Sequence, residues 1–299
     1  MKYSFMYRNQ IRGNNLKIDN YANVLVLNPK QNVAEIPKVI WLYWEGKLPV
    51  FVEDCIKNIR ARNPDYQVHV LCPKTIDQYC DIDFSQLEIA MPQHKADLIR
   101  FNLLYLHGGI WLDASIIVYD RLDWIQQAIQ QNNTEIFAYY RKKNTTQQDS
   151  PIIENWLLAS SKNNLFFKAW FDELLAALKI GPKQYVKNIR DSRADCHKVF
   201  QRISNPEYLI SYVVCQIIMC EHKPSVTLID CDQNAFFYQV KNRWVKEKTL
   251  IDMALNHQNG EFPKLIKFAG KERNHVAQYY EKGMFFENSL LDFKDRHYS

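Results

Sequence analysis

An α/β fold with a mostly parallel sheet flanked by helices is predicted by three stretches of the sequence. Residues 39–44 form a continuous apolar run of strand length, and the segment from Pro49 to about residue 62 carries Val52, Cys55, Ile56 and Ile59 on one helical stripe. After the Asn63-Pro64-Asp65 turn, residues 66–72 return to strand character, so strand, helix and strand follow one another on short links. Residues 95–115 then give a helix, a Gly108-Gly109 turn and another strand. Such units lay strands in parallel and put a ligand beyond the strands' carboxyl ends.

The remaining elements follow in order. Residues 1–35 are polar and Asn-rich with a strand candidate at 24–27, and read as a small N-terminal extension without a function of its own. Residues 110–118 read as one short buried strand with Asp113 and Ser115 in its middle. A helix at 122–131, a strand at 135–140 and a polar loop at 141–150 come next. From 155 to about 220 the pattern is mostly helical, clearest at 163–178 and 206–221. Short apolar runs at 226–229 and 265–268 return to strand character, the second among Lys264, Lys267, Lys271 and Arg273. No repeat or low-complexity linker divides the chain, so 1–299 is taken as one domain: the extension (1–35), a core (36–140) and a C-terminal portion (141–299).

With 47% hydrophobic and 24% charged residues, the 299-residue chain has the composition of a globular protein, not a disordered one. No run approaches the roughly 18 apolar residues of a membrane span, and the first residues lack an apolar signal core. The chain is therefore expected to stay in the cytoplasm. Its seven cysteines form no Cys-x-x-Cys pair and read as reduced thiols, which agrees with that compartment. A net charge of +5 suits phosphates or an anionic membrane face, including peripheral contact with the inner membrane. Nucleic acid is set aside, since no basic helix, aromatic RNA-binding strand or zinc motif is present.

The residues that suggest chemistry lie in 95–115. Asp97 and Arg100 stand three apart on one helix face, while Ile99, Leu103 and Leu106 form its apolar stripe. They are either a simple ion pair or part of a site. Asp113 falls within an apolar strand, where an unpaired carboxylate is expensive, so it needs a cation or a donor, or else caps a turn. That layout suits a nucleotide-sugar and metal site. At the end of the first strand, Trp41, Tyr43 and Glu45 alternate with Leu42 and Trp44, so one aromatic set is core and the other is free to line a pocket. Gly46 is either a plain turn or a point of close backbone approach.

The helix-Gly-Gly-strand block, preceded by Ile36-Pro-Lys-Val-Ile-Trp-Leu-Tyr-Trp-Glu-Gly46, resembles the capsular polysaccharide synthesis glycosyltransferases and their relatives, the mannosyltransferase-like and toxin-like enzymes of glycosyltransferase family 32. The resemblance implies a GT-A-like fold with a helical acceptor-side insertion. It also implies Asp97, Arg100 and Asp113 as catalytic residues, with Asp97 and Arg100 against the donor sugar. Asp113 takes the first place of the family's Asp-x-Asp motif, and Ser115 stands where the last acid belongs. A divalent cation, Mn²⁺ or Mg²⁺, is thus implied at Asp113 and Ser115, weakened by the serine. Trp41, Tyr43, Trp44, Gly46 and Gly109 are implied at the nucleotide, Asn155 and Trp156 in the segment beyond it, and Lys267 and Lys271 over the diphosphate.

The implied activity is that of a hexosyltransferase-like enzyme that retains anomeric configuration. It would move a sugar from a nucleoside-diphosphate donor, a UDP-sugar, to a capsular or lipopolysaccharide-type glycan or a lipid-linked oligosaccharide in bacteria. Two alternatives stand beside it: a catalytically weak nucleotide-sugar-binding protein, suggested by Ser115, and a toxin-like transferase acting on a protein.

Overall fold

The computed structural model of the chain describes residues 16–87, 91–255 and 262–294; the first fifteen residues of the expected N-terminal extension lie outside the described residues. A seven-stranded sheet runs in the order β1-β8-β6-β7-β4-β2-β3. Its strands are β1 (Leu25–Leu27), β2 (Val39–Tyr43), β3 (Gln67–Leu71), β4 (Gly109–Leu112), β6 (Ile136–Tyr140), β7 (Ile153–Ser160) and β8 (Val226–Asp230). A two-stranded ladder pairs β5 (Ile117–Val118) with β9 (Leu265–Ile266). The α/β expectation holds. β2, β3, β4, β6 and β8 share one direction, while β7 and β1 run against them, so the pairings are a mixture of parallel and antiparallel.

The pleat of the sheet separates two apolar cores. Ile40, Leu42, Ile110, Leu112, Phe137 and Tyr139 face one core, which also receives α1 (Val50–Arg62) and α3 (Asp123–Asn132). Trp41, Trp111, Ile136, Ala138 and Tyr140 face the other. That second core is closed by α2 (Pro92–His107), α4 (Leu165–Ile180), α5 (Pro182–Ser192) and α7 (Ile210–His222). The remaining helices are α6 (Cys196–Phe200), α8 (Phe237–Lys241), α9 (Lys246–Leu255) and α10 (Gly270–Tyr280). No helix among the described residues is long and apolar enough to cross a membrane. All seven cysteines are unpaired.

Two expectations change. The stretch 110–118 is two strands, because the chain turns at Asp113–Ile116, where the Ile116 N–H donates to the Asp113 carbonyl at 3.2 Å. Residues 155–160, expected in a helical region, belong to β7, a strand buried between β4 and β6. Burial on both faces removes the alternation that marks a strand, and Trp156, Leu157, Leu158 and Ala159 therefore read as a mere apolar run. The strand expected at 24–27 is present as β1 and forms the sheet's edge, paired with β8.

Candidate active site

Five strands end at one edge of the sheet, and the chemistry gathers there. Trp111 and Asp113 have the same parity on β4 and the turn after it, so both face α2. From α2, Asp97 and Arg100 project toward that strand end from one helix face, as their spacing predicts. Both are buried, each side chain 7% exposed, with an Arg100 Nη1 to Asp97 Oδ1 distance of 3.2 Å. The guanidinium lies 4.8 Å from the Trp111 ring centre, and its Nη2 is 3.6 Å from Asp113 Oδ1. Lys267 Nζ donates to the other oxygen of Asp113 at 2.7 Å. The charges therefore alternate along a line, Asp97, Arg100, Asp113, Lys267.

Lys267 reaches this point from far along the chain through the small ladder. Ile117 pairs with Ile266, and the residue after Ile266 is set beside the turn that carries Asp113. Its backbone N–H donates to the Ala235 carbonyl at 3.1 Å, and its own carbonyl accepts from Gln239 Nε2 at 2.6 Å, which fix the strand end from both sides. Asp113 is the most exposed member of the line, its side chain 27% exposed against 13% for Lys267.

An irregularity in β7 brings Asn155 to the same place. Ala138 of β6 pairs with Leu158, but the next residue, Tyr139, pairs with Glu154. Asn155, Trp156 and Leu157 are thus skipped on the β6 side, a bulge of the kind that re-aims side chains beside active sites. On the β4 side the strand stays regular, with Leu112 opposite Leu157 and the Asp113 N–H donating to the Trp156 carbonyl at 2.9 Å. Freed from the β6 ladder, the Asn155 carbonyl accepts from Arg100 Nη1 at 2.6 Å, and Asn155 Nδ2 donates to Asp97 Oδ1 at 2.8 Å. The Tyr212 hydroxyl, on α7, lies 3.2 Å from Asn155 Oδ1 and 3.0 Å from Glu154 Oε2, which also accepts from the Trp156 indole at 3.0 Å.

The electrostatics set the two aspartates apart. Burial lifts the Asp97 carboxyl to about 6 against the pull of the Arg100 guanidinium, with Asp113 adding to the rise. Burial also pushes Asp113 upward, but the Lys267 ammonium and the Arg100 guanidinium outweigh it and hold this carboxyl below its usual range. Glu154 is raised by burial, opposed by Arg141 and by its two hydrogen bonds. A partly buried guanidinium completes the surroundings: Arg273 stacks on Trp44 at 5.0 Å, its pKa lowered by burial and supported by the charge of Asp113.

The other residues named from sequence separate into two groups. Tyr43 and Trp44 end β2 at the site edge and are partly exposed, Tyr43 donating to Glu45 at 3.4 Å. Gly46 is exposed with φ near +89° and open space around it, so it serves a turn. Lys271 is exposed on the first turn of α10. Trp41 is not a pocket residue: it is 3% exposed, stacks on His69 at 4.8 Å and donates to the Gly108 carbonyl at 2.8 Å. Gly109 begins β4 at the opposite edge of the sheet, buried against Val39. Trp156 is core as well, stacked on Tyr139 at 4.8 Å. Trp41 and Gly109 read as site residues because they border the motifs in sequence, and the strand direction puts them elsewhere; Trp156 lies in the bulge itself, but its ring turns into the core on the other face of the sheet.

Trp111, Glu154, Tyr212 and Arg273 were not singled out for this site. The parity of Trp111 with Asp113 was available as a signal, and Arg273 lay within a basic cluster. Nothing in the sequence joins Tyr212 to Asn155.

The divalent cation expected at Asp113 and Ser115 does not suit the donor set. Ser115 is buried and neutral, and both oxygens of Asp113 already face cationic groups. Hard cations take several oxygen ligands, anionic ones by preference. Among the described residues, the His, Cys, Asp or Glu side chains whose ligand atoms converge are Asp230, Cys231 and Asp232. There burial holds the Cys231 thiol far above its usual range, and Arg141 engages both oxygens of Asp232.

Comparison with known proteins finds glycosyltransferases among the similar chains. An O-glycosyltransferase of Annulohypoxylon truncatum is 24% identical over 155 residues, covering 45% of this chain and 36% of that protein. A glycosyltransferase of Aspergillus fumigatus is 25% identical over 153 residues, covering 44% of this chain and 38% of that protein. The chain thus spans well under half the length of these curated relatives. Among solved structures, the PaToxG glycosyltransferase is similar with a TM-score of 0.39 and 15% identity, covering 85% of this chain and 87% of that one. The galactosyltransferase LgtC is similar with a TM-score of 0.42 and 10% identity, covering 80% of this chain and 95% of that one. Residues 5–179 match the family described as capsular polysaccharide synthesis protein, and with more than half its length inside that match the chain belongs to this family.

Proposed function

We propose that the chain is a glycosyltransferase that moves a sugar from a nucleoside-diphosphate donor, a UDP-sugar, to a bacterial capsular or lipopolysaccharide-type glycan with retention of anomeric configuration. The carrying observation is the line of charges Asp97, Arg100, Asp113 and Lys267 at the carboxyl edge of the sheet. Support also comes from the family and from the glycosyltransferase names of the curated relatives. Nucleotide-sugars are supplied in the cytoplasm, and the protein is assigned there.

In this mechanism the base and ribose lie against Tyr43 and Trp44, where β2 ends. The diphosphate lies against Lys267 and Arg273, cationic groups that are fixed and partly dehydrated before the ligand arrives. Asp97 and Asn155 take hydrogen bonds from the donor sugar's hydroxyls, and Arg100 holds both in place through the Asp97 carboxylate and the Asn155 carbonyl. As the bond between the anomeric carbon and the phosphate oxygen breaks, Lys267 and Arg273 balance the charge growing on that oxygen. The acceptor hydroxyl attacks from the face the phosphate leaves, and its proton passes to the departing phosphate oxygen. Asp113, ionised throughout, holds Lys267 at the strand end.

A thermal-shift series with UDP, GDP and their sugars, each with Mn²⁺ and with EDTA, tests the donor assignment. At least one nucleotide is expected to stabilise the protein in EDTA as well as in Mn²⁺. No shift with any of them would overturn the donor site, and a shift that needs Mn²⁺ would overturn the role given to the basic groups. NMR of the product settles the stereochemistry; an inverted anomeric centre would rule out retention.

A further inference from the structure

Beyond Asn155, on the side of the sheet away from Trp44, a second group of polar and aromatic side chains stands at the same edge. β6 and β8 are parallel neighbours with Tyr140 opposite Asp230, so Arg141, the next residue after β6, and Asp232, two residues after the end of β8, emerge together. Arg141 Nε donates to Asp232 Oδ1 at 2.7 Å and its Nη2 to Oδ2 at 3.2 Å, a two-pronged pair in which each side chain is 16% exposed. The guanidinium carbon lies 4.8 Å from the ring centre of Trp244 and 5.7 Å from that of Phe236. The Trp244 and Phe236 rings are 5.3 Å apart, and Phe236 meets Trp156 edge-on at 5.6 Å.

Trp244 is 41% exposed, and it is held that way by unusual backbone. It and Arg243 both have positive φ, 60° and 54°, and the Trp244 N–H donates to the Gln239 carbonyl at 2.7 Å. A bulky residue in the left-handed region is uncommon. The indole is thus presented to solvent with Arg141 over its ring.

The order of strands gives this group its relation to the proposed reaction. Along the edge come Asp232 (after β8), Arg141 (after β6), Asn155 (in β7), Asp113 (after β4) and Trp44 (after β2). With a nucleotide at Trp44 and a donor sugar at Asn155 and Asp97, the Arg141 side is where a second sugar meets the first. Ala235, which precedes Phe236, accepts the backbone hydrogen bond of Lys267, so this group and the proposed diphosphate site share a strand end.

We propose that Trp244, Arg141 and Asp232 form a subsite for a neutral pyranose of the acceptor glycan. A C–H edge of the sugar lies against the exposed part of the indole, beside the guanidinium that covers its ring, and its hydroxyls bond to the Asp232 oxygens and to Arg141 Nη1, the guanidinium nitrogen outside the Asp232 pair. A partly exposed indole beside a fixed donor–acceptor pair matches what a pyranose offers, apolar C–H groups and a polar rim. The subsite rests on the transferase proposed above for its role as acceptor, though not for its chemistry.

Saturation-transfer NMR with UDP and a panel of methyl glycopyranosides (glucose, galactose, mannose and N-acetylglucosamine, both anomers) separates the two. With UDP present, at least one glycoside is expected to receive saturation at its ring C–H protons. Trp244→Ala is expected to cut that signal about fivefold or more, and Trp244→Phe to keep much of it. A glycoside signal that is absent, or unchanged in Trp244→Ala, overturns the subsite. A Trp244-dependent glycoside signal without any signal on UDP keeps the subsite and sinks the donor site.

Discussion

Asp97 changes protonation state at about pH 6, because burial lifts its carboxyl to that value against the pull of Arg100. The sign of the effect on the fold follows from that lift. Below the ordinary aspartate range the group is neutral whether folded or unfolded, and as pH rises toward 6 the folded form increasingly pays for a buried charge. Neutral pH therefore favours the ionised acceptor that donor hydroxyls need, at some expense in stability. The thermal shift given by a UDP-sugar is expected to fall as pH drops through about 6, and Asp97→Asn should remove that limb. A limb that survives the substitution would belong to another group. Arg100→Ala leaves Asp97 and Asp113 facing each other in the interior, and urea unfolding is expected to show a loss of about 3 kcal/mol or more. Lys267→Met should weaken the stabilisation by UDP more than that by uridine, since the ammonium is assigned to the diphosphate; equal losses would remove that assignment.

At the scale of elements, the joint between α2 and β4 decides whether Asp97, Arg100 and Asp113 meet. Gly109 has φ near +92°, and a Cβ there would stand 2.6 Å from the Val39 carbonyl oxygen and 3.3 Å from Trp41 Nε1. Gly109→Ala is expected to lower stability by about 3 kcal/mol, read from urea unfolding, although the residue is at the far edge of the sheet from the site. Near-wild-type stability would mean that the joint can yield. This joint was legible in the sequence, because helix spacing, a Gly-Gly turn and a strand lie within twenty-odd residues and obey local rules. Lys267 was legible only beside Lys271, as one of two lysines that the resemblance sets over the diphosphate, since the β5–β9 ladder that selects it is long-range. Trp41 was misplaced toward the ligand because alternation separates two faces without saying which helix covers each. Asn155 was found through family resemblance, while Tyr212 and Glu154 were not, because their meeting depends on a strand that reads as helix or core run.

For the whole molecule, the sheet is interleaved in sequence. β7 and β8 come after residue 140, yet they lie on either side of β6, and β7 separates it from β4. A chain ending at Tyr140 is expected to lack a cooperative urea transition, and the full chain to lose near- and far-ultraviolet circular dichroism together. A cooperative fragment would instead mark residues 36–140 as a unit of its own. The bulge in β7 bears on how such a molecule changes over time. Its two ladders are out of step, with Glu154 the last partner of β6 before the break and Leu157 already in register with β4. The slack between them holds Asn155, the residue of this stretch that meets Arg100 and Asp97. A substitution of Asn155 is expected to change which sugar the proposed donor pocket accepts without re-registering either neighbour, so that donor preference can vary over an unchanged sheet.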